Sequence, residues 1–200
     1  MEIGIDSFAA ARTQHDHYSP QASSHALGEL LERMHVADQV GMDVFGIGEH
    51  YRPEFLDSAP TVILAAAAAR TTRMRLTSAV TVLSAADPVR VFQSFATLDL
   101  VSHGRAEIIA GRGSFIEAYP LFGLDLNDYD ALFAEKLDLL LQIRDNDVIT
   151  WTGNTALPYR LNDLVRSTAA VFIVEGEKCA DAVASLGLVA TTNHGGAGKW

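Results

Sequence analysis

The feature that most constrains the fold is an alternation of apolar strands and amphipathic helices, which recurs at intervals of roughly 30 residues. Short runs rich in β-branched residues indicate strands, and apolar residues at i, i+3, i+4 and i+7 indicate helices. The predicted strands are 3–5, 44–48, 74–83 and 106–110, and the predicted helices are 27–40, 60–70, 88–103 and a fourth through 133–141. Strand then helix, four times over, predicts an α/β fold with a parallel sheet. Open doubly wound sheets and closed barrels share this periodicity, so both remain candidates.

Capping signals locate the ends of these helices. The predicted start signals are Ser23 or Ser24 for the first helix, Asp57 or Ser58 with Pro60 for the second, Asp87 with Pro88 for the third, and Asp128 or Asp130 for the fourth. Gly41 is predicted to end the first helix, and residues 10–24 are predicted to form a long polar loop. The predicted core-facing residues of the fourth helix are Phe133, Leu137, Leu140 and Leu141.

Polar side chains follow the second predicted strand at the point where that strand ends. The segment 43–52, DVFGIGEHYR, begins as an apolar strand and ends in Glu49, His50 and Tyr51. Parallel α/β proteins build their active sites from side chains at the carboxyl ends of buried strands. The segment therefore predicts a functional site, with a solvated surface loop after an edge strand as the alternative.

Two histidines in the predicted long loop were considered as metal ligands. His15 and His17 lie two positions apart, and this spacing suits a metal site only when further ligands lie nearby. The surrounding residues supply none, so a solvated loop is the favoured interpretation and no metal site is predicted.

Composition excludes several classes of protein. The chain has 25 acidic residues against 15 basic ones and a net charge of −10, which disfavours binding to a nucleic-acid backbone. The single cysteine, Cys179, permits no internal disulfide and fits a reducing compartment. The start of the chain does not resemble a signal peptide, and the longest apolar run, 62–69, is too short to cross a bilayer. We therefore expect a soluble cytoplasmic protein.

Three segments carry a resemblance to a known family. They are GIGEHYRPEF at 46–55, LTSAVTVLSAADPVRVFQ at 76–93 and GRAEIIAGRGSFIEAYPLFG at 104–123. On these motifs, the chain from Met1 to about Trp151 resembles the luciferase-like flavin-dependent monooxygenases. The resemblance implies a (β/α)₈ barrel of the TIM type, of which about four βα units are present here. It also implies the use of reduced FMN, or in some branches a deazaflavin coenzyme, and assembly as a homo-oligomer.

The resemblance also implies roles for five residues. Glu49 and His50 match an acidic residue and a histidine beside the flavin, where the histidine acts as an acid or base. Ala79 and Val80 match a strained peptide that lies against the isoalloxazine ring, and Arg112 matches an arginine that contacts the flavin phosphate. The alternatives are a structural Glu49–His50 pair, plain core positions at Ala79 and Val80, and a surface arginine at Arg112.

The last part of the chain has a different pattern, which predicts one βαβ unit. The segments VEGEK at 174–178 and ATTNHGGAGKW at 190–200 resemble the start of a Toprim domain, the catalytic fold of primases and topoisomerases. That resemblance makes Glu175 a candidate acid/base residue, although a single carboxylate cannot hold Mg²⁺ for phosphoryl transfer. We therefore predict a luciferase-like half barrel over 1–155 and a Toprim-like fragment over 156–200.

Three functional hypotheses follow from these resemblances. The first is a flavin-dependent monooxygenase that uses reduced FMN and O₂ to oxidise a small organic substrate, with a separate flavin reductase as partner. The second is a nucleic-acid enzyme of the Toprim type, and the third is a non-catalytic truncated or chimeric fragment. A full barrel of this kind needs about 250 residues, whereas this chain has 200. The resemblance therefore predicts the family's activity without establishing that this chain alone is active.

Overall fold

The computed structural model describes residues 1–11, 13–14, 17–153, 171–173, 177–186 and 189–191. The chain divides into two compact units, Met1–Leu137 and Asp138–Trp200. The strands are β1 (Gly4–Ser7), β2 (Thr13–Gln14), β3 (His17–Tyr18), β4 (Val44–Ile47), β5 (Arg75–Ser78), β6 (Thr81–Val82), β7 (Ala106–Glu107), β8 (Ala110–Gly111), β9 (Val171–Ile173) and β10 (Val189–Thr191). The helices are α1 (Pro20–Val40), α2 (Pro60–Ala68), α3 (Pro88–Ser102), α4 (Ala118–Leu121), α5 (Tyr129–Asp145) and α6 (Glu177–Ala184), with a 3-10 helix at Leu126–Asp128.

A four-stranded parallel sheet organises the first unit. Its strand order is β1-β4-β5-β7, which follows the order of these strands along the chain. The helical crossovers α1, α2 and α3 connect successive strands, as the alternating pattern predicts. At the carboxyl ends, Ser7, Ile47 and Ser78 pair in register, so the loops that follow β1, β4 and β5 emerge at one edge.

Two of the predicted strands are each interrupted and divided into two short strands. The predicted strand 74–83 forms β5 and β6, and the predicted strand 106–110 forms β7 and β8. β6 pairs with β8 in parallel, and the hydroxyl of Ser78 lies 3.3 Å from both the backbone nitrogen and the carbonyl oxygen of Ile109. The serine side chain thus replaces backbone pairing at the interruption.

The start of α1 was predicted too late. The helix begins at Pro20 and its N-cap is Ser19, whose hydroxyl accepts a hydrogen bond from the backbone N–H of Ala22 at 3.0 Å. Proline is favoured at the first helical position because its ring fixes φ at a helical value. The N–H group that proline lacks would also have no acceptor within the helix at that position. The end of α1 was predicted correctly, because Gly41 adopts the left-handed conformation with φ of 90°.

The cap predicted for α3 is correct, whereas the cap predicted for α2 is wrong. Asp87 caps α3 by accepting hydrogen bonds from Val89 and Arg90, as predicted. α2 begins at the predicted Pro60, but its N-cap is Ala59, so neither Asp57 nor Ser58 caps it.

One prediction for the fourth helix needs correction. A 3-10 helix capped by Asp125 leads into α5, which begins directly after Asp128, so the cap at Asp128 or Asp130 stays a prediction. Leu139, Leu140 and Ile143 of α5 are buried, whereas Leu141, predicted to face the core, is 37% exposed.

A buried polar network lies at the amino-terminal ends of the sheet strands. Asp38 of α1 accepts hydrogen bonds from the backbone of Thr72, Arg73 and Met74, the residues that lead into β5. Arg105, which precedes β7, donates five hydrogen bonds to groups around it, four of them to backbone carbonyls. These contacts connect α1 to the segment that leads into β5, and they connect the end of α2 to the segment that leads into β7.

The second unit contains a βαβ arrangement as the sequence predicted. β9 and β10 pair in parallel, and α6 lies between them in the chain, with Ala180 buried. Glu175, the candidate acid/base residue of the Toprim hypothesis, lies outside the described residues. His15 also lies outside them, and only the backbone of His17 is described.

Among the helices of the described segments, none combines the length and the apolar character that a membrane span requires.

Candidate active site

A cavity of about 390 Å³ lies at the carboxyl ends of β4, β6 and β8. Its lining comes from the end of β1 and from the loops that follow these strands. The residues that line it are Phe8, Glu49, His50, Tyr51, Ala79, Val80, Val82, Gly111, Arg112, Gly113, Ser114, Phe115, Glu117 and Ala118. All five residues predicted for the flavin site are among them. The structure therefore brings together side chains that lie as far apart as 49 and 112 in the sequence.

Glu49 is fixed to the neighbouring strand and to a tyrosine. Its Oε2 accepts a hydrogen bond from the backbone N–H of Val82 at 2.9 Å, and its Oε1 accepts one from the hydroxyl of Tyr51. Burial raises the pKa of Glu49 above its ordinary value, although both hydrogen bonds oppose the shift. Burial, assisted by the acceptor Glu49, also raises the pKa of Tyr51. The pair therefore presents to the cavity a carboxyl group with a raised pKa and a neutral phenol.

His50 forms a hydrogen bond with Asp57 and not with Glu49, the partner in the alternative interpretation. Its Nδ1 lies 3.0 Å from Oδ2 of Asp57, which is fully buried, and His50 itself is only 8% exposed. The alternative of a structural Glu49–His50 pair is therefore wrong, because Glu49 is bonded to Tyr51 and Val82 instead. Burial raises the pKa of Asp57, and the hydrogen bond from His50 opposes this shift.

Three aromatic rings surround the imidazole of His50. The centroids of Phe55, Phe8 and Phe115 lie 4.4, 4.9 and 5.4 Å from that of His50. Gly48 makes room for this packing, because a Cβ at that position would lie 2.8 Å from the histidine ring and 2.9 Å from Phe8. The histidine is thus held in one position by apolar contacts on several sides.

Ala79 and Val80 lie at the interruption between β5 and β6. The peptide bond that joins them is cis. Gly46 of β4 and Gly111 of β8 pack closely against Ala79 and Val80, and neither position has room for a side chain. A Cβ at Gly46 would lie 2.8 Å from Cβ of Ala79, and a Cβ at Gly111 would lie 2.6 Å from Val80. The alternative of plain core positions does not describe them, because both are partly exposed and line the cavity.

Arg112 follows β8 and lies at the solvent-exposed side of the cavity. Its guanidinium forms an ion pair with Asp130, its Cζ lies 4.8 Å from the ring centroid of Tyr129, and its side chain is 45% exposed. The backbone of Arg112 is held more firmly, since its carbonyl accepts hydrogen bonds from Ser84 at 3.1 Å and from Tyr119 at 3.4 Å. The side chain is therefore accessible, while its attachment point is fixed.

A second arginine connects the loops after β4 and β8. Arg52 pairs with Glu54 at 3.0 Å and with Glu117 at 3.1 Å, and its Cζ lies 5.0 Å from the ring centroid of Phe115. Because Glu117 and Phe115 belong to the loop after β8, this arginine holds that loop against the loop that carries His50. Exposed ion pairs of this kind contribute at most about 1 kcal/mol each, so the connection can open.

Sequence reasoning missed several residues of this site. Asp57 was interpreted as a helix cap, and nothing in its spacing of seven residues from His50 indicates a contact across a loop. Ser84, Tyr119 and Lys136 form a buried group behind Arg112, in which Tyr119 donates to Ser84 at 2.8 Å and Lys136 donates to the Ser84 carbonyl at 2.8 Å. A lysine within an amphipathic helix pattern is ordinarily interpreted as exposed, so burial of Lys136 had no sequence signal.

Among the described residues, no group of three or more His, Cys, Asp or Glu side chains is arranged to hold a metal ion. The residues that line the cavity supply groups for proton exchange, hydrogen bonding and anion binding.

Comparison of the sequence with protein families identifies the family of this chain. Residues 1–187 match the luciferase-like monooxygenase family, and the chain belongs to that family. The match runs through α6, beyond the boundary predicted at 155, and the comparisons do not support the Toprim resemblance. The fold therefore places the chain among the luciferase-like α/β proteins.

Individual relatives are similar to parts of the chain. A limonene 1,2-monooxygenase of Rhodococcus erythropolis is 27% identical over 135 residues, which cover 67% of this chain and 35% of that enzyme. An F420-dependent glucose-6-phosphate dehydrogenase of Amycolatopsis mediterranei is 25% identical over 169 residues, covering 80% of this chain and 51% of that enzyme. Against three curated relatives the chain spans 35–42% of their length.

Solved structures show the same fold. The monooxygenase RslO1 of Streptomyces bottropensis superposes with a TM-score of 0.68 at 24% identity, covering 95% of this chain and 59% of that protein. The oxygenating constituent of 3,6-diketocamphane monooxygenase of Pseudomonas putida, in complex with FMN, also superposes with a TM-score of 0.68, at 17% identity, covering 95% of this chain and 56% of that protein. These structures belong to the luciferase-like TIM-barrel class.

Proposed function

We propose that this chain forms the flavin site of a luciferase-like monooxygenase, with reduced FMN as the cofactor and a small organic molecule as the substrate. The observation that carries the proposal is the convergence of Glu49, His50, Ala79, Val80 and Arg112 on one cavity. Family membership and the monooxygenases among the relatives support it. Activity, substrate and partners of the whole protein are part of the proposal, because the chain spans less than half of those relatives.

The residues present fit a flavin. The cavity volume of about 390 Å³ lies within the range of ligand pockets, which is about 300–1,000 Å³. Ala79, Val80 and Val82 supply apolar surface on which a planar ring can lie, and the buried carboxyl group of Glu49 supplies a polar contact for the ring edge. The exposed guanidinium of Arg112 supplies a planar, permanently charged partner for a phosphate.

The chain's own residues would bind the cofactor and exchange protons. When bound, a reduced flavin supplies the electrons with which dioxygen is activated and the substrate oxidised. His50 lines the cavity and is the side chain suited to exchange a proton near neutral pH. The phenylalanines around it exclude water from the imidazole, and Arg112 would anchor the phosphate.

Flavin titration tests the proposal directly. We expect saturable binding of one FMN per chain, observed as quenching of flavin fluorescence for oxidised FMN and as an absorbance change for anaerobically reduced FMN. Circular dichroism of the same sample establishes that the protein is folded. Folded protein that shows no saturable binding of either form would exclude the proposed function for this chain.

A deazaflavin coenzyme is the alternative cofactor, favoured by the similarity to the F420-dependent dehydrogenase. The same titration with a deazaflavin in parallel with FMN separates the two, since the tighter ligand displaces the other. We further propose a separate flavin reductase and homo-oligomeric assembly. Light scattering coupled to size-exclusion chromatography would test the assembly, and a mass equal to one chain would refute it.

A further inference from the structure

The contact between His50 and Asp57 lies behind the cavity wall. His50 lines the cavity, whereas Asp57 does not, so the hydrogen bond to the imidazole is the direct contact between Asp57 and a residue of the cavity wall. Oδ2 of Asp57 lies 3.0 Å from Nδ1 of His50, and the aspartate is 0% exposed. A fully buried carboxylate is energetically costly and is retained where it has a partner or a function.

Helix capping does not account for Asp57. Aspartate two or three positions before a helix is usually a cap, but the N-cap of α2 is Ala59 and no side chain forms a capping bond there. The carboxylate has turned away from the helix start and toward the histidine. The contact with His50 is the only hydrogen bond that the Asp57 side chain makes to another side chain among the described residues.

We propose that Asp57 is a positioning residue that fixes the tautomer and the orientation of His50, an inference that rests on the proposed function of the cavity. An ionised carboxylate only accepts hydrogen bonds, so the proton of the neutral imidazole must lie on Nδ1. Nε2 then carries the lone pair and is the nitrogen available to the cavity, where it can accept a proton. The second nitrogen of a catalytic imidazole is oriented in this way in enzymes that pair histidine with a carboxylate.

The surrounding contacts hold the ring in the same position. Phe55 lies against the imidazole at 4.4 Å with an interplanar angle of 31°, and Phe8 and Phe115 contact it edge-on. The rings restrict rotation of the imidazole, but they do not distinguish its two nitrogens. Among the described residues, Asp57 is the one whose side chain forms a hydrogen bond with a ring nitrogen of His50, so removing it should change the tautomer rather than the location of the ring.

Nitrogen NMR of the ligand-free protein tests the inference without any cofactor. In protein labelled with ¹⁵N-histidine and held well above neutral pH, we expect the His50 ring to carry its proton on Nδ1. His50→Gln identifies the signals by their loss. In Asp57→Ala we expect the proton to shift toward Nε2, the position favoured by free imidazole side chains, whereas the exposed neighbour Ser58→Ala should leave the His50 spectrum unchanged.

Two results would overturn the inference. One is a His50 proton on Nε2 in the unmodified protein, and the other is an identical His50 spectrum in a folded Asp57→Ala. If Asp57→Ala does not fold, Asp57→Leu takes its place, because leucine is similar in size and accepts no hydrogen bond, and the spectrum of the unmodified protein remains decisive. Flavin titration of the unmodified protein and of Ser58→Ala is a separate measurement, which reports on the proposed function and not on the imidazole proton. A failure of flavin binding in both proteins would therefore count against the proposed function and not against the histidine tautomer.

Discussion

Two buried aspartates at opposite ends of the same strands have opposite electrostatic environments. Asp38 lies at the amino-terminal ends and is 5% exposed, and Asp57 lies at the carboxyl ends and is 0% exposed. Burial acts to raise the pKa of Asp38, but hydrogen bonds from the backbone of Met74, Thr72 and Arg73 outweigh it and lower the pKa to about 2. For Asp57 burial prevails over the bond from His50, and the pKa is raised.

The opposite pKa shifts of Asp38 and Asp57 indicate different roles for the two ends of the sheet. At the amino-terminal ends the folded state favours the ionised carboxylate, so the charge stabilises the fold. At the carboxyl ends the folded state disfavours the ionised form of both Asp57 and Glu49, so these charges reduce stability. Parallel α/β proteins place stabilising residues at the first end and catalytic residues at the second.

Two arginines repeat the contrast. Arg105, at the amino-terminal ends, donates five hydrogen bonds to backbone and side-chain oxygens, including the carbonyls of Ala68 and Met74. Arg112, at the carboxyl ends, has one ion pair to an aspartate that is itself 70% exposed. The guanidinium of Arg105 uses its hydrogen bonds within the fold. The exposed ion pair of Arg112 with Asp130 contributes at most about 1 kcal/mol, so breaking it to bind an anionic ligand would cost little.

The largest expected effect is on the stability of Asp38→Ala. Removing this carboxylate leaves the backbone N–H groups of Thr72, Arg73 and Met74 without their acceptor. The Met74 group is buried and would cost about 1–3 kcal/mol, and the two part-buried groups would cost about 0.5–1.5 kcal/mol each. We expect the free energy of unfolding to fall by about 3 kcal/mol or more, measured by urea denaturation.

Asp43→Ala is the matched control for that measurement. Asp43 accepts one exposed hydrogen bond, from the backbone N–H of Ile3 at 2.7 Å. Its removal should cost no more than about 1 kcal/mol, since water replaces an exposed acceptor. Equal losses for Asp38→Ala and Asp43→Ala would show that the amino-terminal network does not stabilise the fold as argued.

Acid should remove the contribution of Asp38 in a defined pH window. Its folded-state pKa of about 2 lies below the ordinary value of 3.8, so its contribution is fully present above about pH 4 and is lost as the pH falls toward 2. The shift corresponds to roughly 2 kcal/mol. The stability difference between the unmodified protein and Asp38→Asn, measured by urea denaturation at several pH values, should therefore narrow across this window; a difference that stays constant down to pH 2 would contradict the lowered pKa.

The sequence predicts the fold well where one local signal decides the structure. Gly41 and Asp87 mark helix ends through their own backbone or side-chain geometry, and both were predicted correctly. Ser19 was missed in favour of Ser23 or Ser24 because the apolar periodicity of α1 becomes clear only at Leu27, after the helix has already begun. The interruptions of β5–β6 and β7–β8 depend on a contact between Ser78 and Ile109, 31 residues apart, which periodicity cannot detect.

The site was predicted less completely, for a similar reason. The five residues carried by the family motifs do line one cavity, because each follows a parallel strand whose carboxyl end lies at that edge. Asp57 and Lys136 were missed, since their roles arise from burial against other segments. An aspartate shortly before a helix is usually interpreted as a cap, and a lysine within a helix is usually interpreted as exposed. The sequence therefore favours these local interpretations of Asp57 and Lys136.

A smaller effect is expected for Arg112→Ala, and it should appear in binding rather than in stability. Loss of a phosphate contact should weaken FMN binding about tenfold, while riboflavin, which lacks the phosphate, should bind unchanged. Stability should fall by less than about 1 kcal/mol because the Asp130 pair is exposed. Arg144→Ala removes another exposed arginine–aspartate pair, outside the cavity lining, and should alter neither affinity; equal weakening of FMN and riboflavin would contradict a phosphate contact.

The smallest expected change in stability is that of Asp57→Asn, and its sign distinguishes the two ends of the sheet. Because the folded-state pKa of Asp57 is raised, the ionised group lowers stability at neutral pH, and that penalty disappears as the pH falls below the unfolded-state value. Asparagine removes the charge and keeps the shape, so we expect the free energy of unfolding at neutral pH to be equal or up to about 1 kcal/mol higher, limited by the weaker bond to His50. The measurement is the free energy of unfolding of Asp57→Asn and of Asp38→Asn, each determined by urea denaturation relative to the unmodified protein. A loss as large as that of Asp38→Asn would mean that the Asp57 carboxylate stabilises the fold, and the contrast between the two ends would then be wrong.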